Sequence, residues 1–281
     1  MSDSRTDQSL EPGLYIVATP IGNLGDITLR CLDILCRCDV VACEDTRVTG
    51  KLLKHFDIRK PLWRYDDHSS DKERHQLLTE LQQKAVALVS DAGTPLISDP
   101  GYQLAREARV AGAFVTSLPG PCAAISALAL SGLPTNRFLF AGFLPPKENA
   151  RKAMLEELAD VDATLIFYET SPRLLRTLNT LSKCWPDRRI VVARELTKLY
   201  EECRNGTAHE LIAHYEAHPP KGEIVLLVEP PVAKPQDFDI DTQLITALAD
   251  NKPSQAAARV ARETGLERKM LYARALELRS E

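Results

Sequence analysis

The sequence lacks the basic surplus that usually marks a nucleic-acid-binding domain. Its 281 residues include 35 Lys and Arg against 39 Asp and Glu, which gives a net charge of −4. Any contact with a nucleic acid must therefore come from a local cluster of basic residues. The polar residues 1–12 contain no apolar stretch of the kind found in secretory signals, so they predict a disordered tail.

Long apolar runs are also absent. The longest uncharged stretch lies between Arg109 and Arg137, and Pro119, Gly132 and Pro134 interrupt it. A continuous membrane-spanning helix is excluded there, so we expect a soluble protein with no membrane partner.

The seven cysteines contain no C-x-x-C pair, so the spacings of structural zinc sites are missing. Their odd number favours reduced thiols and a cytoplasmic protein. Cys36 and Cys38 lie in an apolar passage from helix to strand, where cysteine commonly acts as a small buried residue. We expect no metal site.

Residues 13–134 predict a first α/β domain, because short apolar runs alternate there with amphipathic helical patterns. The helical pattern is clearest over residues 71–83, where leucines recur at helical spacing. The runs lie at Leu14–Ala18, Val40–Cys43, Leu62–Tyr65, Ala85–Val89 and Ala113–Leu118. Such an alternation is typical of a mostly parallel sheet with crossover helices.

Residues 135–229 predict a second α/β domain in which several strands follow one another without a helix, so its sheet should be mixed. The expected strands are Phe138–Phe143, Thr164–Tyr168, Ile190–Arg194, Glu201–Arg204 and Glu223–Val228. The expected helices lie near Lys147–Ala159, Pro172–Cys184 and Thr207–His218.

A proline-rich linker, residues 230–236, precedes a small helical module, residues 237–281. Ala261, Gly265 and Leu271 have the spacing of a helix-turn-helix. From Asn251 to the end, seven Lys or Arg stand against four Glu. The module is either a contact for RNA or a helical cap that packs in a dimer.

Three loops rich in small residues follow strands of the first domain, over residues 19–26, 90–101 and 118–124. The first loop lacks G-x-G-x-x-G and the P-loop lysine, so neither a dinucleotide nor a nucleoside triphosphate is indicated. Asp26 is placed to cap the helix from about Ile27. Loops at the carboxyl ends of parallel strands form ligand crevices, although each loop singly is explained as a turn.

These loops, together with F-Y-E at 167–169 and G-E-I-V-L at 222–226, resemble the successive motifs of the tetrapyrrole methylase family. The resemblance covers residues 13–229. It implies two α/β domains that bind S-adenosyl-L-methionine between them, and a homodimer.

Within the family, A-C-E-D-T-R at 42–47, D-A-G-T-P-L-I-S-D-P-G at 91–101 and A-R-E-L-T-K at 193–198 resemble the branch that methylates ribosomal RNA. This resemblance implies 2′-O-methylation of a cytidine ribose in the decoding region of 16S rRNA, within the small ribosomal subunit. The first loop departs from the G-x-G-P-G-D form of porphyrin-ring methylases, which counts against a tetrapyrrole precursor as substrate. A third alternative is a non-catalytic, cofactor-sensing RNA-binding protein.

The resemblance also assigns site residues. The cofactor is expected to contact Asp91, Ala92, Gly93, Thr94, Ile97, Cys122, Ala123, Tyr168 and Ile224. Pro20 and Gly22 are expected to form the cleft floor nearer the acceptor.

A ribose hydroxyl is a poor nucleophile until its proton is being removed, so a base is expected near the acceptor. The candidates are Glu44, Asp45, His68 and Glu195. Candidates for binding RNA phosphates are Arg47, Arg64, Arg194 and Lys198. The alternative for Glu44, Asp45 and Arg47 is a structural ion-pair network.

Overall fold

A computed structural model of the chain describes residues 9–66, 71–232 and 239–280. The chain divides into two compact units, Met1–Pro231 and Val232–Glu281. The expectation of a disordered tail falls mostly on residues 1–8, and that of a linker mostly on residues 233–236, both outside the described residues.

The first unit begins with a parallel sheet, in which all five predicted runs form strands. Its strands are β1 (Gly13–Val17), β2 (Val40–Cys43), β3 (Leu62–Arg64), β4 (Ala85–Val89) and β5 (Phe114–Leu118), in the order β3-β2-β4-β1-β5. The helices of this half are α1 (Leu29–Arg37), α2 (Thr46–His55), α3 (Asp71–Glu80), α4 (Tyr102–Val110) and α5 (Ala123–Ser131). Because the strands are parallel, the loops that follow them all leave the same edge of the sheet.

The strands β1, β2 and β4 are buried along their whole length because helices cover both faces of the sheet. Val17 packs with Cys31 on one face, and Leu88 packs with Leu104 on the other. Cys38 is buried as predicted, whereas Cys36 is exposed because it lies on the outer face of α1, and that part of the prediction is wrong.

The second half of the first unit contains the predicted mixed sheet. Its strands are β6 (Phe138–Phe143), β7 (Thr164–Thr170), β8 (Ile190–Arg194), β9 (Glu202–Gly206) and β10 (Glu223–Val228), in the order β6-β7-β10-β8-β9. β6 and β7 are parallel, and the other pairs are antiparallel. The helices are α6 (Glu148–Glu157), α7 (Ser171–Cys184) and α8 (Ala208–Ala217). Helix α5 packs Ala127 and Leu128 into one apolar cluster with Val191 and Val225, and so joins the two halves.

The second unit consists, over residues 239–280, of α9 (Ile240–Leu248), α10 (Pro253–Thr264) and α11 (Arg268–Ser280). Leu244, Val260 and Leu271 lie in its small core. Gly265 ends α10 with φ +72°, a conformation that glycine adopts at little cost. Three residues, 265–267, separate α10 from α11, and the helix-turn-helix stays a prediction. No helix in the described ranges is long and apolar enough to cross a membrane.

The loop after β1 differs from the prediction. Residues 24–26 form a short 3₁₀ turn, in which Asn23 Oδ1 accepts a hydrogen bond from the Gly25 N–H at 3.0 Å. Helix α1 begins only at Leu29, and its cap is Thr28, whose hydroxyl accepts from the Cys31 N–H at 3.1 Å. The prediction of Asp26 as the helix cap was wrong, because Asp26 belongs to the preceding turn.

Candidate functional site

The loops after β1 and β4 are joined at the carboxyl edge of the parallel sheet. Thr19 and Gly93 exchange two backbone hydrogen bonds, of 2.9 and 3.1 Å, and the buried Thr19 hydroxyl donates to the Ser90 carbonyl at 3.2 Å. Gly93 has φ +82°, and a Cβ there would lie 3.2 Å from Ile21 Cγ2. The backbone of the second loop is therefore held close beside the first.

The loop after β5 completes this wall. The Thr94 hydroxyl donates to the Pro121 carbonyl at 2.9 Å, which ties the β4 loop to the β5 loop. Gly120 packs so closely on Ala18 that a Cβ would lie 2.6 Å from the alanine Cβ. The small residues that the sequence places in all three loops are thus required for their mutual contact.

The second sheet supplies the facing wall of a cleft of about 350 Å³. The Tyr168 ring makes edge contacts with Phe140 and Phe143, at centroid distances of 4.8 and 5.7 Å. Burial raises the pKa of Tyr168 to about 12, so the phenol is neutral at pH 7. The cleft is lined by Ile21, Asp91, Ala92, Gly93, Thr94, Ile97, Ser98, Asp99, Ala123, Phe143, Tyr168, Glu169, Thr170, Ala193, Leu196, Gly222, Glu223, Ile224 and Val225.

A second space, of about 520 Å³, adjoins the cleft. We call it the acceptor groove because it holds Pro20 and Gly22, which the sequence predicts near the acceptor. It is lined by Thr19, Pro20, Ile21, Gly22, Leu24, Val48, Thr49, Lys51, Leu52, His55, Ser90, Asp91, Ala92, Lys198 and Glu223. Asp91 and Glu223 are the ionisable residues that line both spaces. Burial raises the pKa of Asp91 above its ordinary value.

The structure brings the residues predicted to contact the cofactor together. Eight of the nine line the cleft. The ninth, Cys122, directly precedes Ala123 at the start of α5 and packs against the same apolar cluster as Tyr168. These residues come from loops of one sheet and strands of the other.

Three of the residues predicted near the acceptor, Pro20, Gly22 and Lys198, line the acceptor groove. Gly22 has φ +152°, and a Cβ there would lie 2.5 Å from Lys198 Cγ. The absence of a side chain at Gly22 allows the lysine to cross the loop after β1.

Lys198 belongs to a cluster with two carboxylates. Its Nζ donates to Glu195 Oε1 at 2.9 Å and to Glu223 Oε2 at 2.6 Å, and the Glu223 N–H donates to Glu195 Oε1 at 3.2 Å. The hydrogen bond from Lys198 lowers the pKa of Glu195. Burial alone would lower the pKa of Lys198, but its hydrogen bonds to Glu223 and Glu195 outweigh burial and raise it. Glu195 therefore supports two groove-lining residues and does not itself line either space.

Asp45 does not line the cleft, but it contacts Asp91, which does. Its side chain caps α2 by accepting from the Arg47 N–H at 2.8 Å, and it forms an ion pair with the Arg47 guanidinium at 2.6 Å. The hydrogen bond from that side chain lowers the pKa of Asp45. The Asp45 N–H donates to Asp91 Oδ1 at 3.3 Å, which links the cap to the cleft wall.

Three other predicted polar residues, Arg64, Arg194 and Glu44, line neither of the two spaces. Arg64 pairs with Asp66 at 3.0 Å, and Arg194 pairs with Glu202 at 3.0 Å. Half-buried Glu44 precedes Asp45 and lines neither space. His68 lies outside the described residues.

Several lining residues were missed from the sequence. Ser98 and Asp99 lie inside the quoted motif 91–101 and could have been included. Lys51 and His55 on α2 have the helical spacing that places them on one face, but no motif marked them. The sequence analysis identified Glu223 only as the first residue of a strand and did not predict that it lines the site.

Glu169 was also missed. It is buried, and it accepts hydrogen bonds from the Thr177 hydroxyl at 2.5 Å and the Thr170 N–H at 2.8 Å. Its Oε1 also pairs with Arg173 Nε at 3.2 Å. The adjacent Tyr168 was predicted. Glu169 lines the cleft as a residue of β7, but its carboxylate is fully buried and is taken up by these three partners.

Within the described part of the chain, no group of three or more His, Cys, Asp or Glu side chains is arranged to hold a metal ion. The cleft wall consists mainly of backbone and apolar side chains with a few polar groups. Such a wall suits an organic ligand.

Comparison with protein families places most of the chain in one of them. Residues 13–212 match the family "Tetrapyrrole (Corrin/Porphyrin) Methylases", and residues 234–279 match the "RsmI C-terminal HTH domain".

Relatives named "Ribosomal RNA small subunit methyltransferase I" match along nearly their whole length. The protein of Erythrobacter litoralis is 64% identical over 281 residues, with all of both chains covered. That of Mesorhizobium japonicum is 48% identical, over 96% of this chain and 93% of its own. That of Haemophilus influenzae is 46% identical, over 92% and 94%.

Two solved structures share the fold. Diphthine synthase aligns with a TM-score of 0.62 at 16% identity, over 77% of this chain and 89% of its own. The uroporphyrin-III-C-methyltransferase of Thermus thermophilus aligns with a TM-score of 0.55 at 22% identity, over 78% and 94%. At these identities the likeness concerns the fold alone.

Proposed function

The chain belongs to the tetrapyrrole (corrin/porphyrin) methylase family, and from this premise we propose that it is a methyltransferase of small-subunit ribosomal RNA that uses S-adenosyl-L-methionine. We propose as its acceptor the ribose 2′-hydroxyl of a cytidine in the decoding region of 16S rRNA. One observation carries this proposal beyond the family: a narrow cleft opens beside a groove with basic side chains, and Asp91 and Glu223 line both.

The residues of the cleft fit the cofactor. Gly93 and Gly222 both line the cleft, and neither has a side chain that could keep a ligand away from the backbone. Ala123, Ile224 and Tyr168 offer apolar surface to an adenine ring and a thioether chain. When it is bound, S-adenosyl-L-methionine supplies an electrophilic methyl group. The protein contributes by holding the acceptor in line with that group.

The acceptor groove is the proposed place of the ribose. Lys198 is held across its floor by Glu195 and Glu223, so its ammonium is fixed before RNA arrives. A fixed cation can bind a phosphate oxygen at a lower cost in side-chain entropy than a mobile one. Pro20 and Gly22 leave room beside it.

A proton acceptor for the ribose hydroxyl must reach the junction of the two spaces. Asp91 meets this condition, and its raised pKa is the direction that a general base requires. Asp45 and Glu195 then act as positioning residues, through Asp91 and Lys198 respectively. Glu44 and His68 stay predictions.

From the same family membership we also propose where the protein acts, its oligomeric state and how it contacts its substrate. The protein acts in the cytoplasm as a homodimer, and it modifies 16S rRNA within the small ribosomal subunit. Its second unit, residues 232–281, contacts that subunit through the helix-turn-helix.

The test is transfer of a radiolabelled methyl group from S-adenosyl-L-methionine to small subunits that lack the modification. We expect the label to be incorporated at one cytidine ribose. The methylated site is recognised because one linkage of the 16S rRNA becomes resistant to alkaline cleavage. The Asp91→Asn variant should lose turnover by about 10²-fold or more while it still binds the subunit. Incorporation into a uroporphyrinogen and none into the subunit would overturn the proposal.

A further inference from the structure

One segment of this acidic chain carries a concentrated positive charge. The whole chain has a net charge of −4, yet residues 46–64 contain six basic residues and one acidic residue, Asp57. Their net charge is +5. The basic residues are Arg47, Lys51, Lys54, Arg59, Lys60 and Arg64. This surplus exceeds that of the helix-turn-helix unit.

The fold places these charges on both sides of α2. Lys51 and His55 line the acceptor groove, where Lys198 also lies. On the other side of α2, a hollow of about 730 Å³ is lined by residues that include three basic ones, Lys54, Arg59 and Lys60, and one acidic one, Asp57. Basic side chains thus run from the groove, across the end of α2, into the loop before β3.

Internal structural roles account for only part of the cluster. Arg47 and Arg64 have carboxylate partners. Lys54 and His55 lie in the last turn of α2, where positive charge stabilises a helix end.

Among the residues that the structure describes, the remaining charges have neither of these roles. Lys51 lies in mid-helix, whereas Arg59 and Lys60 follow the end of α2. Lys51 and Arg59 are exposed, and neither has a carboxylate within 4 Å among the residues that the structure describes. Like charges gathered in this way repel one another, and a bound polyanion removes that cost.

We propose that this segment is a phosphate track that holds the RNA strand beside the acceptor nucleotide. The inference rests on the proposed function, since the groove is where the acceptor ribose enters. Lys51 and His55 bind the phosphate nearest the acceptor, and Lys54, Arg59 and Lys60 bind the phosphates that follow. The carboxylates of the groove, Asp91 and Glu223, lie at the cleft end of the track and keep phosphates away from the reacting position.

The experiment compares the full-length protein with its triple variant Lys51→Ala, Lys54→Ala, Arg59→Ala. The matched control is Lys152→Ala, because Lys152 is an exposed lysine on α6 that pairs only weakly, at 3.6 Å, with Glu156. Binding to unmodified small subunits is measured over a series of KCl concentrations, together with turnover and calorimetric affinity for S-adenosyl-L-methionine.

The triple variant should bind subunits at least about 10-fold more weakly. The plot of log K against log salt should become less steep by about 2, since each of the three lost phosphate contacts removes about 0.7 to 0.9 from the magnitude of its negative slope. Its KM for subunits should rise with little change in kcat, and its cofactor affinity should equal that of wild type, which shows that the cleft is intact. Lys152→Ala should match wild type in every measurement.

An unchanged affinity and salt slope in the triple variant, with a wild type that methylates subunits, would overturn the phosphate track and leave the proposed function standing. If the wild type neither binds nor methylates subunits, the proposed function fails, and the track fails with it.

Discussion

Gly222 offers a sharp test of the cluster formed by Glu195, Lys198 and Glu223. Its φ is +83°, and a Cβ built there would overlap three atoms of the Glu195 side chain, of which Cγ would be 2.7 Å away. No backbone atom is among these three nearest neighbours. The Gly222→Ala variant must therefore move Glu195, and with it the hydrogen bonds from Lys198 Nζ and the Glu223 N–H.

Two costs add in this variant. An alanine with positive φ costs about 1 to 2 kcal/mol. The loss of the hydrogen bonds to the Glu195 carboxylate adds about 1.5 to 3 kcal/mol, with the lower end favoured because 29% of the Lys198 side chain is exposed. The control is Gly112→Ala, since Gly112 has φ +73° and no atom within 4 Å of its Cβ position. This control should show the backbone cost alone.

The assay is urea unfolding followed by tryptophan fluorescence, because Trp63 and Trp185 both lie in the first unit. A double-mutant cycle with Glu195→Ala separates the two costs. In the Glu195→Ala background, Gly222→Ala should destabilise the protein no more than Gly112→Ala does. The Glu195→Ala protein should also bind subunits less well than wild type, because Lys198 is no longer held in place. An equal loss of stability from Gly222→Ala in both backgrounds would refute the reasoning.

Three further predictions concern the cleft, the pH dependence and the second unit. Gly93→Val should abolish binding of S-adenosyl-L-methionine, measured by calorimetry, because the valine side chain would press on Ile21. The control Gly132→Val should retain binding, because Gly132 has a similar φ and open space around its Cβ position. Retained affinity in Gly93→Val would remove Gly93 from the site. Because the pKa of Glu195 is lowered from 4.5, its contribution to the free energy of unfolding should be present above pH 4.5 and be lost as the pH falls below it. Urea midpoints of wild type and Glu195→Gln should accordingly converge between pH 7 and pH 3.5, and a constant difference would contradict this. A chain that ends after residue 235 should keep its cofactor affinity but bind small subunits with a weaker salt dependence; equal subunit affinity would show that the helix-turn-helix is only a cap.

The sequence by itself determined the elements of the fold. The apolar runs of the parallel sheet were predictable because strands buried on both faces must be apolar throughout, which is a local property of the chain. The small residues of the three loops were also readable, since Gly93 and Gly120 are needed where backbones meet. The residue at which α1 begins could not be predicted from the sequence, because Asp26 and Thr28 are both good caps and only the 3₁₀ turn distinguishes them.

The tertiary structure alone decided how the charged side chains are used. Glu195 was one candidate base near the acceptor, and the antiparallel pairing of β8 with β10 decides its neighbours, which are Gly222 and Lys198. Lys51 carries no motif, and its place in the acceptor groove depends on the packing of α2 beside the loop after β1. Distances between charges on separate strands and helices are set by packing across the whole unit, and so they could not be derived from the spacing of residues along the chain.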